Sequence, residues 1–189
     1  MEKNEYLKDL TPCSTLMTED QYWSLIADSL KLAKASEGQD EYLIQRLKEL
    51  SPVEIIGFDL TTDDLTNKIY TSTMWCAGYL MNEGCSDDGF IDFRNWVVSR
   101  GKDVYYKAVE DADTLISQTK IMDDDDIPGF EEFGYVASVA FKIKTGGDIE
   151  DYVDSPIVYN QDIDFDWDDD EPETMQAVCP LLYNYYWEE

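Results

Sequence analysis

The sequence predicts a mainly α-helical protein: a single compact multi-helix domain with an acidic, largely irregular C-terminal segment. Three observations carry that expectation. Apolar residues recur at helical spacing in successive segments. Several of those segments open with a recognisable helix-start signal. No stretch alternates convincingly at the two-residue period of a strand. The 189 residues suffice for one domain with a sizeable core. We divide them into a loose lead-in over 1–17, a helical domain over 18–147, and an acidic segment over 148–189 that packs on the domain.

The elements follow in order. Thr18-Glu19-Asp20-Gln21 reads as a capping box, with Trp23, Ile26, Ala27, Leu30 and Ala33 on one stripe behind it and Gly38 as the stop. Asp40 is placed to cap a second helix carrying Leu43, Leu47 and Leu50. Ser51-Pro52-Val53-Glu54 is a stronger start, because proline suits the first helical position and glutamate completes the box. That helix has Val53, Ile56 and Leu60 on its buried face. A break is expected near Thr61, with the helix resuming through Lys68. Residues 71–82 are apolar nearly all round, as in a central buried helix, and Gly84 suits its left-handed cap. Phe90, Phe93, Trp96 and Val97 form the stripe of the next helix, which ends at Gly101. Two short helices are expected over 102–110 and 112–121. Asp123 to Asp126 make an acidic loop closed by Pro128-Gly129. Phe130, Phe133, Val136, Ala137, Ala140 and Phe141 mark one more amphipathic helix, whose phenylalanine spacing outweighs a strand reading of residues 136–144.

Composition then excludes function classes. Acids outnumber bases 42 to 14, for a net charge of −28. The last base is Lys144, and residues 145–189 carry 14 acids, so half the net charge lies in under a quarter of the chain. A field of that sign repels phosphate, which argues against direct nucleic-acid binding and against docking on an anionic membrane. Self-repulsion on this scale opposes compactness, and a cationic partner is the simplest compensation. There is no histidine, so a Ser-His-Asp or Cys-His nucleophile cannot be built from this chain. Cys13, Cys76, Cys85 and Cys179 are widely spaced and offer no zinc motif. Buried, reduced thiols in a cytoplasmic protein are the reading they support. Neither a secretory signal nor a long apolar span is apparent.

Residues 84–94 read GCSDDGFIDFR. One reading makes Asp87 and Asp88 an acid-base or metal pair, with Arg94 orienting a phosphate or carboxylate. That would be a carboxylate- or metal-dependent enzyme. The simpler reading has Ser86, Asp87 or Asp88 cap the following helix, where acids meet the positive end of its dipole. The positions Trp75, Ala77, Tyr79, Gly84 to Asp88, Phe90, Phe93, Arg94, Trp96, Gly101, Val104 and Tyr105 together resemble the signature of a bacterial family, domain of unknown function 4240. Glu83 stands where that family usually has glycine. The likeness extends more weakly from Tyr22-Trp23 to residues 179–183. It implies a shared, mainly helical fold and no assigned activity.

The segment Asp162 to Glu173 is the other constellation. Asp162, Asp164, Asp166, Asp168, Asp170 and Glu173 fall at positions 1, 3, 5, 7, 9 and 12 of a calcium loop, but Trp167 occupies the place that needs glycine. We therefore expect no dedicated metal site and no cofactor. In an extended segment, the same alternation puts carboxylates on one side and Ile163, Phe165 and Trp167 on the other. Such a surface matches the charge density of duplex DNA and suits a basic cleft. The expectation is a non-enzymatic, acidic binding protein that neutralises or inhibits a basic partner. An immunity-type protein or inhibitor of a nucleic-acid-processing toxin or defence enzyme is the concrete form, with a stand-alone phage-type DNA mimic as the alternative. Its contact residues are Asp162, Asp164, Asp166, Trp167, Asp168, Asp169 and Asp170, with Asp123, Asp124, Asp125 and Asp126 as a second patch.

Overall fold

A computed structural model describes residues 5–31, 38–122, 126–154 and 163–187. Nine α-helices are formed among these residues: α1 (Glu19–Leu30), α2 (Gln39–Leu47), α3 (Pro52–Lys68), α4 (Ser72–Met81), α5 (Asp87–Ser99), α6 (Lys102–Glu110), α7 (Val136–Thr145), α8 (Pro172–Val178) and α9 (Pro180–Tyr186). Short 3₁₀ segments cover Glu5–Leu7, Ala112–Lys120, Glu131–Tyr135 and Ile149–Tyr152. Extended pairing is limited, among the described residues, to two isolated bridges. The protein is mainly α, as its apolar spacing predicts. No helix is long and apolar enough to cross a membrane, among the residues described.

The chain folds into two compact groups of contacts, residues 1–65 with 132–158 and residues 66–131 with 159–189. In the first, α2 packs on α1 and α7. Tyr22 stacks on Phe58 at 4.7 Å between ring centres, and Leu43, Leu47, Ile55, Ile56, Phe133 and Phe141 are fully buried around them. The stripe of α1 is Tyr22, Trp23, Ile26 and Ser29, whereas the predicted Ala27 is exposed and Ala33 lies outside the described residues. The helix also stops at Leu30, well before Gly38, which instead supplies a left-handed cap to α2.

Ser51 and Glu54 form the predicted capping box. The Ser51 N–H donates to the Glu54 carboxylate at 2.8 Å, and the Glu54 N–H returns to the Ser51 hydroxyl at 3.3 Å. The break expected near Thr61 does not occur. Thr61 and Thr62 turn their hydroxyls back onto the carbonyls of Gly57 and Phe58, at 2.7 and 3.0 Å, which satisfies them inside a continuous helix. Val53, predicted buried, is exposed.

The lead-in is not loose where it approaches α3. The Met17 N–H donates to the Gly57 carbonyl and to the Thr61 hydroxyl, both at 2.9 Å. A Cβ at position 57 would lie 3.1 Å from the backbone of Thr15 and Met17, so glycine allows this close approach without displacing the lead-in. Further back, Cys13 forms a parallel bridge to Val153, with Cys13 N–H to Tyr152 carbonyl at 3.0 Å.

In the second group, α4 is in contact with α5, α8 and α9, and α5 with α6. Phe90, Phe93, Trp96 and Val97 are buried as predicted. Each such side chain contributes about 1.5–3 kcal/mol by leaving water. Gly78 lets the Phe93 ring lie against α4, since a Cβ there would meet the ring at 3.0 Å. Residues 163–171 have no helix, but the chain then forms α8 and α9, each opened by proline at its first position.

Candidate functional site

At the start of α5, Ser86 is the cap: its hydroxyl accepts the Gly89 N–H at 3.2 Å. Asp87 and Asp88 occupy the first turn and are exposed. Arg94 is 4% exposed and is spent on other work. Its Nη1 donates to the Thr66 carbonyl at 3.0 Å and its Nε to the Phe90 carbonyl at 3.3 Å, while the guanidinium lies 4.9 and 5.0 Å from the ring centres of Tyr70 and Phe90. Thr66 is in the last turn of α3, where carbonyls lack helical partners and a cation is favoured. The capping reading therefore accounts for Ser86, Asp87 and Asp88, and a helix end and two rings account for Arg94. Beside them the Cys85 thiol is pushed up to about 11, because burial outweighs the nearby Arg94 charge.

The aspartate segment is built differently. Trp167 and Phe165 anchor it on α4. Phe165 meets Trp75 edge-on at 5.3 Å and Trp167 edge-on at 5.5 Å. Trp167 also lies 5.3 Å from Tyr79, and Tyr79 stacks with Trp187 at 6.1 Å. Trp75 in turn stacks on the buried Phe90 at 4.3 Å, so the strip of rings is continuous with the core. Ser72, at the first position of α4, supplies the polar anchor. The Trp167 indole N–H donates to its carbonyl at 3.0 Å, the Asp166 N–H to its hydroxyl at 3.2 Å, and that hydroxyl donates to the Asp166 carboxylate.

The next four residues make a tight loop. The Asp168 N–H donates to the Thr174 hydroxyl at 2.8 Å, and the Asp170 N–H to the Asp168 carboxylate at 2.9 Å. The Tyr79 hydroxyl donates to the Asp169 carboxylate at 2.9 Å, and this bond is the main reason the phenol is raised above its ordinary value. Asp164, Asp166, Asp168, Asp169 and Asp170 are all exposed. No lysine or arginine pairs with them among the described residues.

Of the predicted contact residues, Asp164, Asp166, Asp168, Asp169 and Asp170 are exposed along one segment, whereas Trp167 is half-buried against α4. Asp162 lies outside the described residues, as do Asp123, Asp124 and Asp125, while Asp126 is exposed. Of the calcium-loop set, Asp166 is turned onto Ser72. The carboxylates that gather are Asp168, Asp169 and Asp170, whose oxygens come within 4.8 Å of one another. They are exposed, and two of them already accept protein hydrogen bonds.

Sequence reasoning missed four members of this face: Ser72, Trp75, Tyr79 and Trp187. Trp75 and Tyr79 sit one turn apart on α4, so their common face was readable; their pairing with residues about 90 positions away was not. Asp113 was missed as well. It is buried, and its carboxylate accepts the N–H groups of Leu181 and Leu182, both at 2.8 Å, capping α9 from a distant part of the chain.

No curated protein and no solved structure is similar enough to this chain to match it. A family model described as "Protein of unknown function (DUF4240)" matches residues 17–143, more than half of the chain, and the chain belongs to that family.

Proposed function

We propose that this protein binds a basic protein partner through the face carrying Asp164, Asp166, Asp168, Asp169 and Asp170, and neutralises it. The concrete form is an immunity-type protein or inhibitor acting in the cytoplasm on a nucleic-acid-processing toxin or defence enzyme; a phage-type DNA mimic would use the same physics. One observation supports this most directly. The segment is held on α4 through its rings, its five aspartates are exposed without a lysine or arginine partner among the described residues, and no base follows Lys144 in the sequence. Positive charge to meet them comes most simply from outside. Carboxylates arranged on a rigid platform raise the association rate by one to three orders of magnitude at low salt. Phe165, 48% exposed, and Trp187, 37% exposed, offer apolar contact beside the charge.

The test uses the native host cell extract and two variants. Asp164→Lys/Asp170→Lys/Glu171→Lys changes charge at side chains that do not anchor the segment, and Trp167→Ala removes the anchor. The wild-type chain should capture a basic protein whose affinity falls steeply with salt. The triple variant should lose at least tenfold in affinity with a shallower salt slope, and Trp167→Ala should weaken capture while keeping the charge. Equal affinity and equal salt slope for wild type and triple variant would refute the reading. The identity of the captured protein separates an immunity role from DNA mimicry.

A further inference from the structure

Two of the four cysteines meet inside the second group of helices. Cys76 lies in the middle of α4 and is fully buried; Cys179, 1% exposed, is the residue between α8 and α9. Their environments are reciprocal. The Cys76 thiol points to the Met175 carbonyl of α8 at 4.0 Å, and the Cys179 thiol to the Thr73 carbonyl of α4 at 3.9 Å. Thr73 is one turn before Cys76, and Met175 one turn before Cys179, so the two thiols sit at the crossing point of these elements. The contact between them, together with burial, raises the Cys179 thiol far above its ordinary value. Cys13 and Cys85 are half-buried elsewhere.

We infer that Cys76 and Cys179 are a paired modification site that closes to a disulfide by exchange with a small disulfide such as oxidised glutathione. One thiolate attacks the oxidant, forming a mixed disulfide and releasing one small thiol. The second cysteine then displaces the other small thiol. Two protein thiols are oxidised, one oxidant disulfide is reduced to two thiols, and two protons leave with them. The bond joins α4 to the start of α9 and spans more than half of the chain, so it restricts the unfolded ensemble strongly. It also encloses residues 163–171, which α4 holds on one side and α8 follows on the other.

Burial makes the site slow in the closed fold, because the thiolate is the attacking form. Access comes from α8 and α9 themselves. Each has seven residues, too few to hold together without packing, so they open locally before the core does. The site is therefore a latch that closes on a transiently opened C-terminal pair and persists once the helices return.

The experiment takes the full reduced chain, incubates it with oxidised glutathione, quenches with acid, unfolds the chain so that every remaining thiol is accessible to N-ethylmaleimide, and measures intact mass and linked peptides. The expected product carries two maleimide groups instead of the four on the reduced chain, contains a Cys76–Cys179 peptide pair, and reverts with dithiothreitol. Its formation should quicken about tenfold per pH unit below the thiol pKa, and its thermal midpoint should exceed that of the reduced chain. Cys13→Ser/Cys85→Ser should behave as wild type, which guards against loss of fold in Cys76→Ser or Cys179→Ser. The same reaction is repeated in denaturant below the global midpoint, where α9 opens. Four maleimide groups, or glutathione held separately on single cysteines, under both conditions would overturn the pairing.

Discussion

At the start of α5, Asp87 and Asp88 stand beside free backbone N–H groups, with Ser86 bonded to one of them. Along residues 164–170, five aspartates stand in solvent, and what holds their backbone is Ser72, Thr174 and a ladder of rings. Both regions are acidic and exposed. In the first, the helix terminus is a local answer to negative charge, so nothing further is needed to explain it. In the second, Ser72 at the start of α4 and the Tyr79 hydroxyl each bond one aspartate, but no lysine or arginine among the described residues pairs with any of the five. Acid content alone does not mark a functional surface; the relevant question is what meets the charge.

Asp59 carries that comparison to its extreme and gives the largest expected effect. It lies on α3 with Asp63 and Glu150 near it, and loss of water followed by those two charges pushes it up to about 7. Between about pH 4 and 7 the folded chain keeps this proton while the unfolded chain has released it. The contribution to stability is therefore fullest below the unfolded value of 3.8, shrinks as pH rises, and is gone above about 7. Asp59→Asn should leave stability at pH 4 nearly unchanged and raise it at pH 8 by roughly 2–4 kcal/mol. Urea unfolding at both pH values measures this, and an equal change at both would show that the charge is already answered.

Asp113 is the opposite buried case, with two N–H groups of α9 converging on its carboxylate. Asp113→Ala should cost ~2–3 kcal/mol, because charge-assisted bonds are lost and two donors at a helix start are stranded. Hydrogen exchange should show α9 losing protection before α5 does. Uniform loss across both helices would mean that Asp113 supports the whole group rather than α9.

A smaller loss tests the capped end of the comparison. Ser86→Ala should cost about 1 kcal/mol in thermal or urea unfolding, the ordinary value of an N-cap. It should leave partner capture unchanged. A loss of capture with the fold intact would move the functional surface from residues 164–170 to the start of α5.

The sequence made local features legible. Ser51 with Glu54 and Ser86 before α5 are read within four residues, and the Phe90, Phe93 and Trp96 stripe within two turns. Long-range partners were not legible. Tyr79 to Asp169, Ser72 to Trp167 and Asp113 to Leu181 link positions 68 to 95 apart, and no periodicity encodes them. A break was expected near Thr61 because the bonds of the Thr61 and Thr62 hydroxyls to carbonyls one turn back cannot be seen in a one-dimensional pattern. The family match stops at residue 143, so it covers the start of α5 and the α4 residues Ser72, Trp75 and Tyr79 but not the aspartates they hold. The reading of residues 164–170 thus rests on the chemistry of this chain alone.

The smallest effect concerns the turn just before α5. Its sequence suggested Gly84 as the left-handed residue closing α4. The left-handed position is in fact Glu83, at φ 52, with Gly84 following at φ 126 and donating to the Tyr79 carbonyl at 2.9 Å. That bond is the six-residue closure of a Schellman turn, in which the residue before the donor adopts the left-handed conformation. A side chain with a Cβ is strained there by about 1 kcal/mol. Glu83→Gly should raise stability by ~0.5–1 kcal/mol, less the backbone entropy that glycine adds to the unfolded state. It also removes one negative charge beside Asp87 and Asp88, so Glu83→Gln serves as the control for charge. A gain in Glu83→Gly absent from Glu83→Gln assigns the strain to the backbone. Equal gains would assign it to repulsion among the acids, and the start of α5 would then join residues 164–170 as a region whose charge is not answered within the fold.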